Sequence, residues 1–304
     1  MRQPQVRRPA LVLEPPPLLQ PLPPTWVERL MEASHLLDLA GVRMKSDDTL
    51  SLLSVSVERA VDMNASELRE AVTTAYADLG RALQALDRAA IRLWNYMPDP
   101  GQVLADDLDR YMVFNEGRSN GYRNWKMRNG APAYLPTASA VGIASGDLIV
   151  HCLASTIEGR PVENPRQIPA WRYSKRYGPT PPSFSRATLA SIGGCPLLLI
   201  GGTASVVGEE TAHAGDVAAQ VSETLENLAT LIATATSSRE TTRPLDRLLD
   251  IRVYLARLED AALVRDTLSA TCPGTTVIEV VLAPLCRRDL LVEIEGVAEI
   301  SPRA

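Results

Sequence analysis

Two well-separated stretches, AAIRLWNYMPD at 89–99 and DIRVYLARLED at 250–260, share an Ile-Arg pair and one apolar run. Each follows a long pattern of helical period. Over 65–89, Leu68, Val72, Ala75, Leu79, Leu83 and Leu86 recur at three- and four-residue spacing behind Ser66, which offers an N-cap; over 215–235 the face is Val217, Val221, Leu225, Leu228 and Ile232. Strand-like runs precede the helices at 49–63 and 195–208. Second helices are predicted at 105–125 and 261–272, and closing strands at 138–155 and 275–300. The order ββαβαββ is written twice, so the chain must fold as two like α+β units.

The expected domains are 1–155, with a proline-rich arm over 1–25, and 183–304. They are joined by a segment, 156–182, dense in Pro, Arg and aromatic residues and lacking either period. A loop of that length inside a compact protein usually serves function, and its aromatic residues argue for order.

The composition excludes several classes. A net charge of -5 gives no reason to expect nucleic acid. The prolines of MRQPQVRRPALVLEPPPLLQPLPP break the apolar run a signal peptide needs, and no run is long enough to span a membrane. Cys152, Cys195, Cys272 and Cys286 show no CxxC spacing, and His35, His151 and His213 are scattered. Free thiols, no metal, no cofactor and a cytoplasmic location are therefore expected. GGTASVVGEE lacks both the GxGxxG and the Gly-Lys-Ser/Thr phosphate-loop patterns. His151 and Cys152 are strand neighbours pointing to opposite faces, which argues against a Cys/His pair.

GDVAAQVSETLENLATLI, IRVYLARLED and LLVEIEGVAEI, in that order, resemble the YjgF or reactive-intermediate deaminase fold. That likeness covers about 183–304 and puts Glu293 in a cleft, but the family's carboxylate-binding arginine falls near Thr275. Two such units in one chain, with RYMVFNEGR (110–118), VENPRQIPAWRYSKRYGPTPPSFSRA and GGTASVVGEE between the structural elements, resemble the chorismatases. The resemblance implies two YjgF-like, chorismate-mutase-like ferredoxin-type αβ domains in tandem, with pseudo-trimer-like packing and an active site in the interdomain cleft. It implies a monomer whose partner is the small molecule chorismate, cleaved at its enolpyruvyl ether to release pyruvate.

Strand alternation puts Glu293 and Glu295 on one face of 290–298, and alternation alone favours a solvated face. The resemblance instead makes Glu293 the proton donor to the enolpyruvyl group and leaves Glu295 structural or supporting. It also singles out Cys286, matched by Gly201 or Gly202, as the pair that accompanies 3-hydroxybenzoate formation, where two alanines accompany hydrolysis. A thiolate at Cys286, its pKa lowered by Arg287 and Arg288, is the expected base for aromatisation. Two substrate carboxylates call for arginines: Arg118, Arg172, Arg186 and Arg257 are candidates, with Tyr111 and Tyr173 as hydroxyl donors.

Three alternatives remain open. They are a hydrolytic chorismatase giving 3,4-dihydroxycyclohexa-1,5-diene carboxylate, one giving mixed 3- and 4-hydroxybenzoate, and a non-enzymatic ligand-binding protein of YjgF-like fold.

Overall fold

The computed structural model describes residues 15–300 apart from 33, 40, 106, 124, 126–134 and 237–242. The basic start of the proline arm, residues 1–14, lies outside them. In the first half a short helix, α1 (Thr25–Leu30), precedes β1 (His35–Leu39), β2 (Val42–Ser46), β3 (Leu50–Val57), α2 (Ala65–Ala85) and β4 (Ala89–Pro98). A hairpin of β5 (Val103–Ala105) and β6 (Leu108–Asp109), then α3 (Arg110–Tyr122), β7 (Thr137–Ile143) and β8 (Leu148–Ser155), complete it. The second half has β9 (Arg160–Val162), β10 (Ala187–Ile192), β11 (Cys195–Ala204) and a hairpin of β12 (Val206–Val207) and β13 (Glu210–Thr211). It continues through α4 (Val217–Thr236), β14 (Leu248–Leu255), α5 (Ala261–Thr271), β15 (Val277–Leu282) and β16 (Val292–Glu299).

The strand orders β1-β2-β3-β8-β4-β7 and β9-β10-β11-β16-β14-β15 correspond position by position. In each, the last pair is parallel and the rest are antiparallel. The repeated Ile-Arg pair therefore sits on equivalent strands, β4 and β14. Helices α2 and α3 cover one face of the first sheet, and α4 and α5 cover one face of the second. The remaining faces pack on each other, Leu52, Trp94 and Leu153 of the first sheet against Ala190, Leu199 and Val297 of the second. Four layers result, with three apolar cores.

The helical spacings survive in detail: Leu68, Val72, Leu79 and Leu83 of α2 and Val221, Leu225, Leu228 and Ile232 of α4 are buried. The cap of α2 differs from expectation. Asn64, not Ser66, accepts from the backbone N–H groups of Ser66 and Glu67, while Glu67 returns a bond to the Asn64 N–H, a complete capping box. β1, β2 and β10 were not legible in the sequence. The aromatic segment opens with a strand, β9, whose Val162 pairs with Ala187 of β10; short 3₁₀ turns follow.

The described part of the proline arm is docked. Leu19 N–H donates to Leu282 O (2.9 Å) and Leu282 N–H to Pro17 O (2.8 Å), while Leu19, Val27 and Met31 enter the core between the sheets. His151 Nε2 donates to Pro21 O (2.9 Å), and Arg252 donates to Leu22 O (2.9 Å) and Pro23 O (3.1 Å). Among the described residues no helix is long and apolar enough to cross a membrane.

The Asn64 box lies far from the sheet interface, so its loss should be purely structural. Asn64→Ala is expected to lower the unfolding free energy by about 1 kcal/mol. Urea denaturation measures this, with turnover of the folded protein unchanged.

Candidate active site

A cavity of about 430 Å³ opens between the two halves. That is within the size range of small-molecule sites. Three elements build it.

The first is α3. Asp109 caps it, accepting from Met112 N–H (2.8 Å), and the buried Arg110 guanidinium anchors its start to Pro98 O, Asp99 O and Val61 O. Gly117 and Gly121 let α3 approach α2 closely, since a Cβ on either would collide with Val72 or Tyr76. With that face against α2, the i, i+4, i+7 set Tyr111, Asn115 and Arg118 is directed towards the cavity. Arg118 is fully buried. Its Nη2 donates to Asn115 Oδ1 (2.6 Å) and its plane lies 5.0 Å from the Phe114 ring, but Nε and Nη1 find no hydrogen-bond partner among the described residues.

The second is the aromatic segment between the sheets. Tyr173, Tyr177 and Arg186 border the cavity. Arg186 Nη2 donates to the Tyr173 hydroxyl (2.6 Å), which keeps that O–H free to donate in turn, while Arg186 Nε is buried without a partner among the described residues. Arg287 stacks over Tyr177 at 4.1 Å and Tyr173 at 5.4 Å.

The third is the run from Pro284 into β16. Val141 pairs with Leu285, and Gly142 N–H donates to Pro284 O (2.7 Å), so this run lies along β7, the edge strand of the other sheet. From the opposite side, α4 clamps it with one amide: Gln220 Nε2 donates to Asp289 O (2.8 Å) and Gln220 Oε1 accepts from Leu291 N–H (2.8 Å). The sequence pattern exposed only the apolar face of α4, so this clamp was missed.

Glu293 is 8% exposed, with its carboxyl against Gly202, where a Cβ would stand 1.8 Å from Glu293 Oε1. Burial, followed by the nearby Glu295, pushes its pKa up to about 8; Arg92, Arg186 and Arg287 pull less strongly in the other direction. A neutral, proton-bearing carboxyl at pH 7 follows. Glu295 is 1% exposed and faces the other sheet rather than water. It accepts from Arg92 Nη2 (2.6 Å), Trp94 Nε1 (2.8 Å) and the Ser139 hydroxyl. The solvated face suggested by alternation is thus a sheet-to-sheet contact.

The surroundings of Cys286 do not favour the lowered thiol pKa expected of it. Burial, Glu293 and Asp109 hold the Cys286 thiol well above the ordinary cysteine range, outweighing Arg118 and Arg287. Its Sγ donates to Ala140 O (2.8 Å), as a neutral thiol does. Arg288, adjacent in sequence, turns away to Gly101 O (2.7 Å).

Of the residues singled out from sequence, Tyr111, Arg118, Tyr173, Arg186, Gly202, Cys286 and Glu293 border this one cavity. The Gly201/Gly202 ambiguity resolves by position: Gly202 faces Glu293, whereas Gly201 packs against Thr137 and Ala138. Arg172 is exposed outside the lining, and Arg257 is paired with Asp260 (2.7 and 3.1 Å), also outside it. Sequence reasoning missed Ser139, Arg176 and Tyr177, and saw Arg287 only as a neighbour of Cys286. Two hydroxyl residues at alternate positions of a small-residue strand, Thr137 and Ser139, were the available signal for the first.

A family model described as chorismatase FkbO/Hyg5-like, N-terminal, matches residues 30–154. A 3-hydroxybenzoate synthase of Streptomyces hygroscopicus is 34% identical over 237 residues, covering 75% of this chain and 69% of that protein. A chorismatase of Streptomyces rapamycinicus is 37% identical over 212 residues, covering 68% of this chain and 63% of that one. A crystal structure of chorismatase superposes with a TM-score of 0.75 at 27% identity, over 87% of this chain and 79% of that chain. The likeness runs through both halves that enclose the cavity, and the chain belongs to the chorismatase family.

Proposed function

We propose that the cavity binds chorismate and converts it to 3-hydroxybenzoate and pyruvate. The observation that carries this reading is a neutral, buried Glu293 sharing one cavity with Arg118 and Arg186, whose guanidinium groups keep N–H groups without partners among the described residues. Buried donors without acceptors are costly unless a ligand supplies the acceptors. The two carboxylates of chorismate, one on the ring and one on the enolpyruvyl group, would do so, with the Tyr173 O–H as a further donor.

The two products together contain the atoms of chorismate and nothing else, so no water, oxidant or cofactor enters. Glu293 delivers its proton to the terminal methylene of the enolpyruvyl group, producing an oxocarbenium ion that weakens the bond from the ring to the ether oxygen. Pyruvate departs as its ketone. The neighbouring ring hydroxyl oxygen bonds to the carbon that pyruvate leaves, its bond to its original ring carbon then breaks, and the proton lost from the accepting carbon as the ring aromatises returns to the Glu293 carboxylate, restoring the acid.

Cys286 has a different role from the expected base. As a neutral thiol bonded to Ala140 O it fills the flank of the site where an attacking water would otherwise stand, favouring the intramolecular route. One chain supplies both walls of the cavity, so the monomer is the proposed working unit.

Glu293→Gln is expected to lower pyruvate release at least about 100-fold, measured by coupling to lactate dehydrogenase; full activity in that variant would exclude the mechanism. The acid form of Glu293 exists below about pH 8. With Glu293 as donor, kcat/KM should be level below that pH and fall about tenfold per unit above it. A required Cys286 thiolate would produce the opposite slope. Cys286→Ala should keep pyruvate release and shift the chromatographed product towards the diene diol; an unaltered product would remove Cys286 from control of the outcome.

A further inference from the structure

β11 passes the site with one residue too many. Ile200 stands opposite Gly296 and Thr203 opposite Ile294, so Gly201 and Gly202 together face Glu295. Such a bulge withdraws backbone N–H groups from the ladder. Gly201 N–H donates to Arg186 O (2.9 Å), and Gly202 N–H crosses to the other sheet, to Ser139 Oγ (2.9 Å).

The same hydroxyl donates to Glu295 Oε2 and accepts from Arg92 Nη2. One donor and two acceptor positions are the capacity of a serine hydroxyl, and all three are taken. Ser139 borders the cavity yet has nothing left to offer a ligand. What it does hold is the bulge, and the bulge is the surface against which the Glu293 carboxyl lies.

We propose that Ser139 is a positioning residue for proton delivery and product choice: it pins the Gly202 bulge across the sheet interface, fixing the orientation of the Glu293 carboxyl and keeping water from its flank. This rests on the reading of the cavity as a chorismate-cleaving site. The groups facing Glu293 are Glu295 on its own strand, Arg92 from β4, Arg186 ahead of β10, Arg287 and Cys286 from the run before β16, and Tyr111 from α3. Replacing Ser139 alters none of these charges. It does withdraw a hydrogen bond from Glu295 and from Arg92, so the pH profile is read together with the product ratio, which reports water at the site.

The test compares Ser139→Ala and Ser139→Thr with the parent for kcat, KM, product ratio and pH profile. Ser139→Ala is expected to lower kcat at least about tenfold with KM within about threefold, since the interaction lost acts on the transition state. Its alkaline limb should move to lower pH as water reaches Glu293, and diene diol should appear beside 3-hydroxybenzoate. Ser139→Thr, which keeps the hydroxyl, should remain within about threefold of the parent kcat. Should Ser139→Ala not fold, Ser139→Cys, which keeps the volume and weakens the hydrogen bonds, takes its place in the same comparison. Unchanged kcat and product ratio, an effect on KM alone, or Ser139→Thr as impaired as Ser139→Ala would each overturn the role. A parent protein that releases no pyruvate from chorismate would instead sink the reading of the site, and this role with it.

Discussion

An ion pair crosses from one sheet to the other: Arg92 of β4 meets Glu295 of β16 at 2.6 Å, both side chains almost wholly buried. Two charges withdrawn from water are tolerated only when every lone pair and proton is matched. Trp94 and Ser139 complete the match, and Arg92 Nη1 takes Leu93 O (2.6 Å). A sliding displacement of one sheet on the other would leave these charges unpaired as well as break the close packing around them. The relative position of the sheets, and hence the shape of the cavity at their margin, is held by this polar contact together with that core.

Just beyond the pair, the electrostatic balance reverses. Arg118 is as buried as Arg92 but has no carboxylate partner among the described residues, and Glu293, also buried, lies beside a glycine bulge instead of pairing with a guanidinium. The same two residue types form a matched pair at the sheet interface and stay apart at the cavity. The matched pair sets the geometry, and in the proposed reading the unmatched groups at the cavity await the carboxylates of the substrate.

Much of this architecture was legible in the sequence. The repeated Ile-Arg pair marked equivalent strands, and three- and four-residue spacings marked the helix faces, because those patterns are local. Alternation correctly put Glu293 and Glu295 on a common face, but it says which side chains share a side, not whether water or another sheet covers it. The Cys286 thiol failed for a related reason. Arg287 and Arg288 are adjacent in sequence, yet one stacks on Tyr177 and the other reaches Gly101, so adjacency did not become a local positive field. The alternate hydroxyl positions Thr137 and Ser139 hinted at Ser139, but its role was not legible because its three partners come from three other strands.

The docked stretch of proline arm has a property that follows from its composition. Proline contributes a carbonyl but no N–H, so a proline-rich strip can be laid against buried donors without bringing matching donors of its own to be buried unsatisfied. Arg252 and His151 offer such donors, and the strip answers with the carbonyls of Pro21, Leu22 and Pro23. From Pro21 to Pro23 recognition is by main-chain carbonyls, while Leu19 holds the arm by its side chain in the core between the sheets. A single-residue insertion between these anchors would carry the carbonyls off their donors and be felt more than a substitution of the exposed Leu22.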